Sequence, residues 1–227
     1  MSDNKYLNAL SVDCIIFGFD EGELKVLLIK RKEEPSSGMW ALPGGFVEPT
    51  ESLDEAAQRI LTELTSIPNI YMEQVYTFGE VNRYPLGRVI SISYYALVKI
   101  SDYKVQATSK IEEVVWLPLS QIKELVFDHT QILQKALETL KERVRFHPVG
   151  FELLPEKFTL TQLQNLYEVI LGVQLDKRNF RKKLLGMDLI IRLDESQVGV
   201  AHRAARYFKF DLERYKEWLA QGFNFKL

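Results

Sequence analysis

Hydrophobic positions along the first half of the chain recur at two spacings. Residues 9–19 and 24–30 are apolar, β-rich runs, and Asp20-Glu21-Gly22-Glu23 between them predicts a hairpin turn. Residues 72–79 and 88–99 predict further strands. The latter alternates, with Val89, Ser91, Ser93 and Tyr95 on one face and Ile90, Ile92, Tyr94 and Ala96 on the other. Glu113–Trp116 predicts a short strand closed by Pro118. Helical spacing governs the stretch after Ser52, where Leu53, Ala56, Ala57, Ile60, Leu61 and Leu64 form one broad apolar face. Ser52 with Glu55 has the spacing of a capping box that would start this helix. A short helix over Ser120–Leu125 is predicted next. A longer one over His129–Val144 carries Ile132, Leu133, Ala136, Leu137 and Leu140 on one face. Strands around an embedded helix, followed by another helix, imply an α/β sandwich.

The C-terminal third reads differently. Pro148, Gly150 and Pro155 punctuate RFHPVGFELLPEKF, which predicts a boundary between domains at 1–147 and 148–227. Thr161 and Gln164 repeat the capping-box spacing ahead of the stripe Leu163, Leu166, Tyr167, Ile170, and Gly172 follows as a C-cap. Asp176 is placed to cap a second helix, KRNFRKKLL, that ends at Gly186. At about 100° per residue, Phe180 and Leu184 share its buried face. Arg178 and Lys182 then point directly away, with Asn179 and Arg181 on the flanks. LIIRLDES and RAARYFKF around Gln197-Val198-Gly199 complete a winged helix-turn-helix.

Charge supports that reading. The chain is net −2, but residues 156–227 carry 13 Lys+Arg against 9 Asp+Glu and are net +4, leaving −6 for the rest. Only the C-terminal part is suited to a polyanion. Lys177, Arg178, Asn179, Arg181, Lys182 and Lys183 are the expected DNA contacts. His202, Arg203 and Arg206 on the second wing strand should add backbone contacts. One helix reads few base pairs, so an inverted-repeat duplex bound by a homodimer is expected. The single cysteine, Cys14, lies in the apolar run CIIFGF and reads as core. No stretch has membrane-spanning length and no signal-peptide pattern opens the chain, so cytoplasm is the expected location and no membrane is involved.

The stretch that organises the first domain is GMWALPGGFVEPTESLDEAAQRILTELTSI, residues 38–67. It resembles the Nudix box, G-x5-E-x7-R-E-U-x-E-E-x-G-U with U aliphatic. Gly45, Glu51, Arg59, Leu61, Glu63 and Ile67 match. Ile60 and Leu64 replace two helix glutamates, and Ser66 replaces the glycine. The resemblance implies a mixed sheet and an αβα sandwich. In that family the helix carboxylates hold divalent cations that bridge a substrate diphosphate, and Glu63 with Glu51 alone is a poor cage for Mg²⁺. No catalytic residue, resident metal or cofactor is therefore expected.

With the winged helix appended, the chain resembles the Nudix-related transcriptional regulators. The stretches that carry this are WALPGGFVE, YTFGEVNRYPLGRVISISYYALV and FTLTQLQNLYEVILGVQLDKRNFRKKLL. It implies a dimeric repressor whose Nudix-like domain senses a small molecule, ADP-ribose in some branches and pentoses in others. A diphosphate is held by Mg²⁺ on carboxylates, by arginine or by backbone N–H groups. A free sugar pairs with carboxylates, amides and an aromatic face. Ile60 and Leu64 disfavour the first, Trp40, Tyr94 and Tyr95 suit the second, and Arg83 and Arg88 could hold phosphate without metal. The balance favours a sugar, with arabinose-type pentoses first, and the expected ligand contacts are Trp40, Glu51, Glu63, Arg83, Arg88 and Tyr94. Lys30-Arg31-Lys32 reads either as a solvated strand end or as one wall of a pocket. Two other readings stand beside the regulator: a nucleotide-sugar or ADP-ribose pyrophosphatase with a regulatory tail, and an interaction module that binds neither ligand nor DNA.

Overall fold

The structure is a computed structural model that describes residues 9–68, 70–199 and 204–220. It divides into two compact units, one drawn from residues 1–18 and 25–139 and the other from 19–24 and 140–227.

The sheet of the first unit begins with β1 (Leu10–Asp20) and β2 (Glu23–Arg31), joined through Glu21 and Gly22, both with positive φ, in the 19–24 stretch that is grouped with the second unit. The predicted hairpin turn is therefore present. β3 (Trp40–Ala41), β4 (Gly44–Phe46), β5 (Glu73–Phe78), β6 (Ile90–Val98) and β7 (Ile111–Pro118) complete a seven-stranded mixed sheet. The main path runs β3-β2-β1-β6-β5, with β4 on β1 and β7 on β2. β1 and β6 are parallel, Asp13 opposite Ser93 and Cys14 opposite Tyr94. Most of both strands is buried. β6 is central, so its predicted alternation separates two covered faces and not an inside from an outside.

The box helix, α1 (Leu53–Thr65), starts with the predicted capping box. Ser52 Oγ accepts from the Glu55 N–H at 3.3 Å, and the Glu55 carboxylate accepts from the Ser52 N–H at 2.8 Å. Its apolar face packs in one cluster with Val12, Cys14, Ile92 and Tyr94. Ser66, standing where the box glycine belongs, adopts the left-handed φ of +61° at the C-cap, a conformation that glycine reaches more cheaply. The helix α2 (His129–Phe146) buries Ile132, Leu133, Ala136, Leu140 and Val144. The short helix predicted at 120–125 is only a 3₁₀ turn at Leu119–Gln121. The Leu125 N–H donates to Thr130 Oγ1 and the Val126 N–H to Trp40 O, so those donors serve other elements.

The second unit packs β8 (Phe158–Thr159), α3 (Leu160–Leu171) and α4 (Lys177–Gly186) with β9 (Ile190–Ser196), β10 (Arg206–Phe210) and α5 (Leu212–Ala220). Its sheet runs β8-β10-β9 with antiparallel pairs. The capping box of α3 lies two residues earlier than predicted, on Thr159 and Gln162. The Thr-x-x-Gln pattern occurs twice in TLTQLQ, and the end of β8 selects the first. Gln164 instead donates to Glu168 and to Leu175 O, bracing the turn into α4. Gly172 is the left-handed C-cap and Asp176 caps α4 through the Asn179 N–H at 2.7 Å, both as predicted. Helix α5 was not foreseen. Its signal was Asp211, whose carboxylate accepts from the Arg214 N–H. Among the described residues no helix is long and apolar enough to cross a membrane.

Candidate functional site

In the first unit, the loop before α1 returns over β1 and leaves two adjoining cavities. Gly44 has to be glycine, because a Cβ there would collide with Asp13 Oδ1. The cavity beside α1 has a volume of about 230 Å³ and is lined by Arg31, Lys32, Glu33, Arg59, Ile60, Glu63, Leu64 and Lys110, among others. The second, of about 350 Å³, is lined by Asp13, Arg31, Arg83, Tyr84, Phe127 and His129, among others. Both share Arg31, Gly44, Gly45 and Phe46.

The two box carboxylates at the first cavity, Glu51 and Glu63, are already spoken for. Arg59 grips Glu51 bidentately at 2.8 and 2.6 Å, and the Glu48 N–H donates to Glu51 at 2.8 Å. These bonds, that from Arg59 foremost, hold the Glu51 carboxyl down at about 2. Glu63 accepts from Lys110 at 2.5 Å and lies 3.5 Å from Arg59. The Lys110 hydrogen bond keeps it below the usual carboxylate range. Ile60 is buried and would touch any Cβ added at Gly45. Among the described residues, no group of three or more His, Cys, Asp or Glu side chains could hold a metal ion. The residues present do not fit the Nudix metal centre: apolar groups fill two ligand positions and cations neutralise the remaining box carboxylates, Glu51 and Glu63.

The second cavity is built on a buried polar network that sequence reading missed, apart from Arg83. Arg83 forks onto Asp128 at 2.8 and 2.7 Å and lies 3.5 Å from Asp13. Asp13 also accepts from Ser91 Oγ at 2.5 Å, and His129 Nε2 lies 3.5 Å from its other oxygen. The Leu42 N–H donates to His129 Nδ1 at 3.0 Å. Phe127, at φ +52°, carries its ring against Tyr84, with the Arg31 guanidinium over it at 5.4 Å. A bulky residue in that left-handed region is strained, and such strain clusters at ligand sites.

Burial above all pushes the His129 imidazole below its ordinary value, against the pull of Asp13 and Asp128 and with that of Arg83 and Arg31. The unfolded chain then takes up this proton first as pH falls below about 6.5, so stability declines from there. Protonation also removes the acceptor of the Leu42 N–H. Melting curves at about pH 7 and about pH 5.5 should show a loss for the wild type that His129→Gln reduces. Equal losses in both proteins would rule out this histidine.

Of the expected ligand contacts, Glu63 lines the first cavity and Arg83 the second, while Glu51 stands behind the first as the partner of Arg59. Trp40, Arg88 and Tyr94 line neither. Trp40 sits in β3 opposite Lys30. Arg88 is exposed and donates to Glu80 O at 2.7 Å. Tyr94 is buried against α1 with its hydroxyl on Asp54 at 2.7 Å. The Lys30-Arg31-Lys32 run is the pocket wall, through Arg31 and Lys32.

In the second unit α4 buries Phe180 and Leu184 and exposes Lys177, Arg178, Asn179, Lys182 and Lys183, the face expected from helical spacing. Arg181 differs. It is half-buried, and its Nη2 donates to Thr161 Oγ1 at 3.1 Å, pinning α4 to α3. Arg206 is exposed at the start of β10. His202 and Arg203 lie outside the described residues.

A model of the NUDIX domain matches residues 7–139, and a model of the NrtR DNA-binding winged helix domain matches residues 150–210. The chain belongs to the NrtR-type, Nudix-related transcriptional regulators. The "ADPR responsive transcriptional repressor NtrR" of Acinetobacter baylyi is 38% identical over 210 residues, 91% of this chain and 83% of that protein. NrtR from Shewanella oneidensis, solved with a 27mer DNA, is 31% identical with a TM-score of 0.77, covering 95% of this chain and 97% of that one. Its NUDIX domain, solved with ADP ribose, is 35% identical with a TM-score of 0.55, covering 60% of this chain and 90% of that one. The ADP-ribose pyrophosphatase of Methanocaldococcus jannaschii is 35% identical over 126 residues, 56% of this chain and 71% of that protein. None of these relatives of the NrtR-type chain is named for a pentose, so the lean towards arabinose finds no support among them.

Proposed function

We propose that the chain is a homodimeric repressor that binds inverted-repeat DNA through α4 and answers to ADP-ribose in its Nudix-like unit, without hydrolysing it. The observation that carries this is the exposed cationic face of α4 in a chain similar along nearly its whole length to a repressor named for its ADP-ribose response. Ligand identity follows the ADP-ribose complex of the related NUDIX domain and the cationic wall of the first cavity. The first unit is the sensor and the second the DNA reader.

The test is DNA affinity by fluorescence anisotropy, on duplexes selected from a randomised pool, with and without effector. ADP-ribose should change affinity by a coupling free energy of about 1–3 kcal/mol, and arabinose should leave it unchanged. A response to arabinose alone, or to neither, would refute the reading.

A pyrophosphatase remains the second reading because of the Methanocaldococcus relative. Ile60, Leu64 and the Lys110–Glu63 pair speak against it. Incubation with ADP-ribose and Mg²⁺ should release no AMP. Robust turnover that Glu63→Gln abolishes would promote the hydrolase.

A further inference from the structure

We propose that Lys110, with Arg31 and Lys32, takes the place of the divalent cation of a Nudix centre, so that the cavity beside α1 holds a diphosphate without metal. The ligand's identity as ADP-ribose rests on the reading above, whereas the anion site is argued from this chain alone. The Lys110 ammonium lies 2.5 Å from Glu63, the one helix glutamate of the box that survives. A metal ion would need that carboxylate, and the lysine already has it. An ammonium carries three N–H donors. Glu63 engages one, and the half-exposed Lys110 side chain can turn the others to the cavity.

The neighbouring cations are uncompensated. Arg31 donates to the carbonyls of Pro35 and Glu33, and Lys32 to the carbonyl of Ser109, so neither has a carboxylate partner among the described residues. The Lys32–Ser109 bond places Lys32 beside the turn that carries Lys110. Arg59 is different, being already neutralised by Glu51. Arg31, Lys32 and Lys110 line this cavity together with Glu33, a set in which the cations outnumber the one carboxylate not already paired. A dianionic diphosphate meets their charge with charge-assisted hydrogen bonds. Ile60, buried behind Gly45, removes the carboxylate that would repel such a ligand at the helix.

The test is calorimetric titration of the full chain with inorganic pyrophosphate and with ADP-ribose in EDTA, and with ADP-ribose again in Mg²⁺. Both ligands should bind in EDTA, and Mg²⁺ should leave ADP-ribose affinity within about twofold. Lys110→Gln should weaken both by roughly tenfold or more, and Lys110→Arg should retain them. Glu63→Gln should tighten binding, since it removes a negative charge beside the anion; a metal ligand would instead be lost. Lys110 is exposed enough that its variants should melt with the wild type. Binding that requires Mg²⁺, unchanged affinity in Lys110→Gln, weakened binding in Glu63→Gln, or no binding of either ligand in EDTA would each overturn the proposal. Pyrophosphate bound in EDTA through Lys110, with ADP-ribose unbound, would uphold the anion site and refute ADP-ribose as its ligand.

Discussion

Arg83→Ala should destabilise the first unit by about 3–5 kcal/mol before any ligand is added. The Arg83 side chain is only 5% exposed and neutralises two carboxylates, Asp128 at 12% and Asp13 at 6% exposure. Removing it leaves both in a low-dielectric site with no cation to meet them. The penalty is the desolvation of those charges, not merely the lost bonds. A fall in melting temperature of roughly 10 °C is expected. Arg83→Lys keeps the charge but not the planar fork on Asp128, so it should lose less. Thermal unfolding of the three proteins would decide, and an Arg83→Ala variant as stable as the wild type would show that the network carries no stability. Loss of ligand response in that variant is therefore no proof of contact between Arg83 and ligand.

Arg178→Ala should weaken binding to selected DNA by about 1–3 kcal/mol and relax sequence preference. Lys182→Ala should weaken every sequence alike and reduce the salt slope by about one. Both side chains are exposed opposite the Phe180–Leu184 core face, and Asp176 fixes the start of their helix. Arg181→Ala should behave otherwise, because its guanidinium is tied to Thr161. Its loss should loosen the packing of α4 on α3 and lower stability of the second unit more than base discrimination. Salt titrations on selected and scrambled duplexes separate these cases. If Arg178→Ala and Lys182→Ala match the wild type on both, α4 is not the reader.

The box helix, the helix-turn-helix and most strands were legible because their signals are local. Ser52 and Glu55, or Asp176 and Asn179, lie within one turn of each other, and a cap is readable at that range. The same locality explains the errors. TLTQLQ holds two overlapping capping patterns, and only the end of β8 chooses between them. Tyr94 lies on a strand whose alternation was clear, yet alternation does not say what covers each face. Helix α1 covers this one, and the hydroxyl donates to Asp54.

By itself the sequence determined the family, the two kinds of fold and the cationic face of α4. Periodicity, caps and motif spacing are properties of neighbouring residues, and a helix carries them into space unchanged. Which charges are spent and which remain free was decided only by tertiary structure. Arg83 meets Asp13 across 70 residues of sequence and Asp128 across 45. Lys110, a lone lysine in a turn, meets Glu63 across 47. The sheet and the loop before α1 bring these groups together. Coulomb energy depends on distance and burial, neither of which sequence spacing encodes at that range. The cation that appeared free to hold a ligand was therefore the one already neutralised. Of the other cations that line the open cavity, Arg31 and Lys32 belong to a run that the sequence left as either a solvated strand end or a pocket wall, and Lys110 carried no signal.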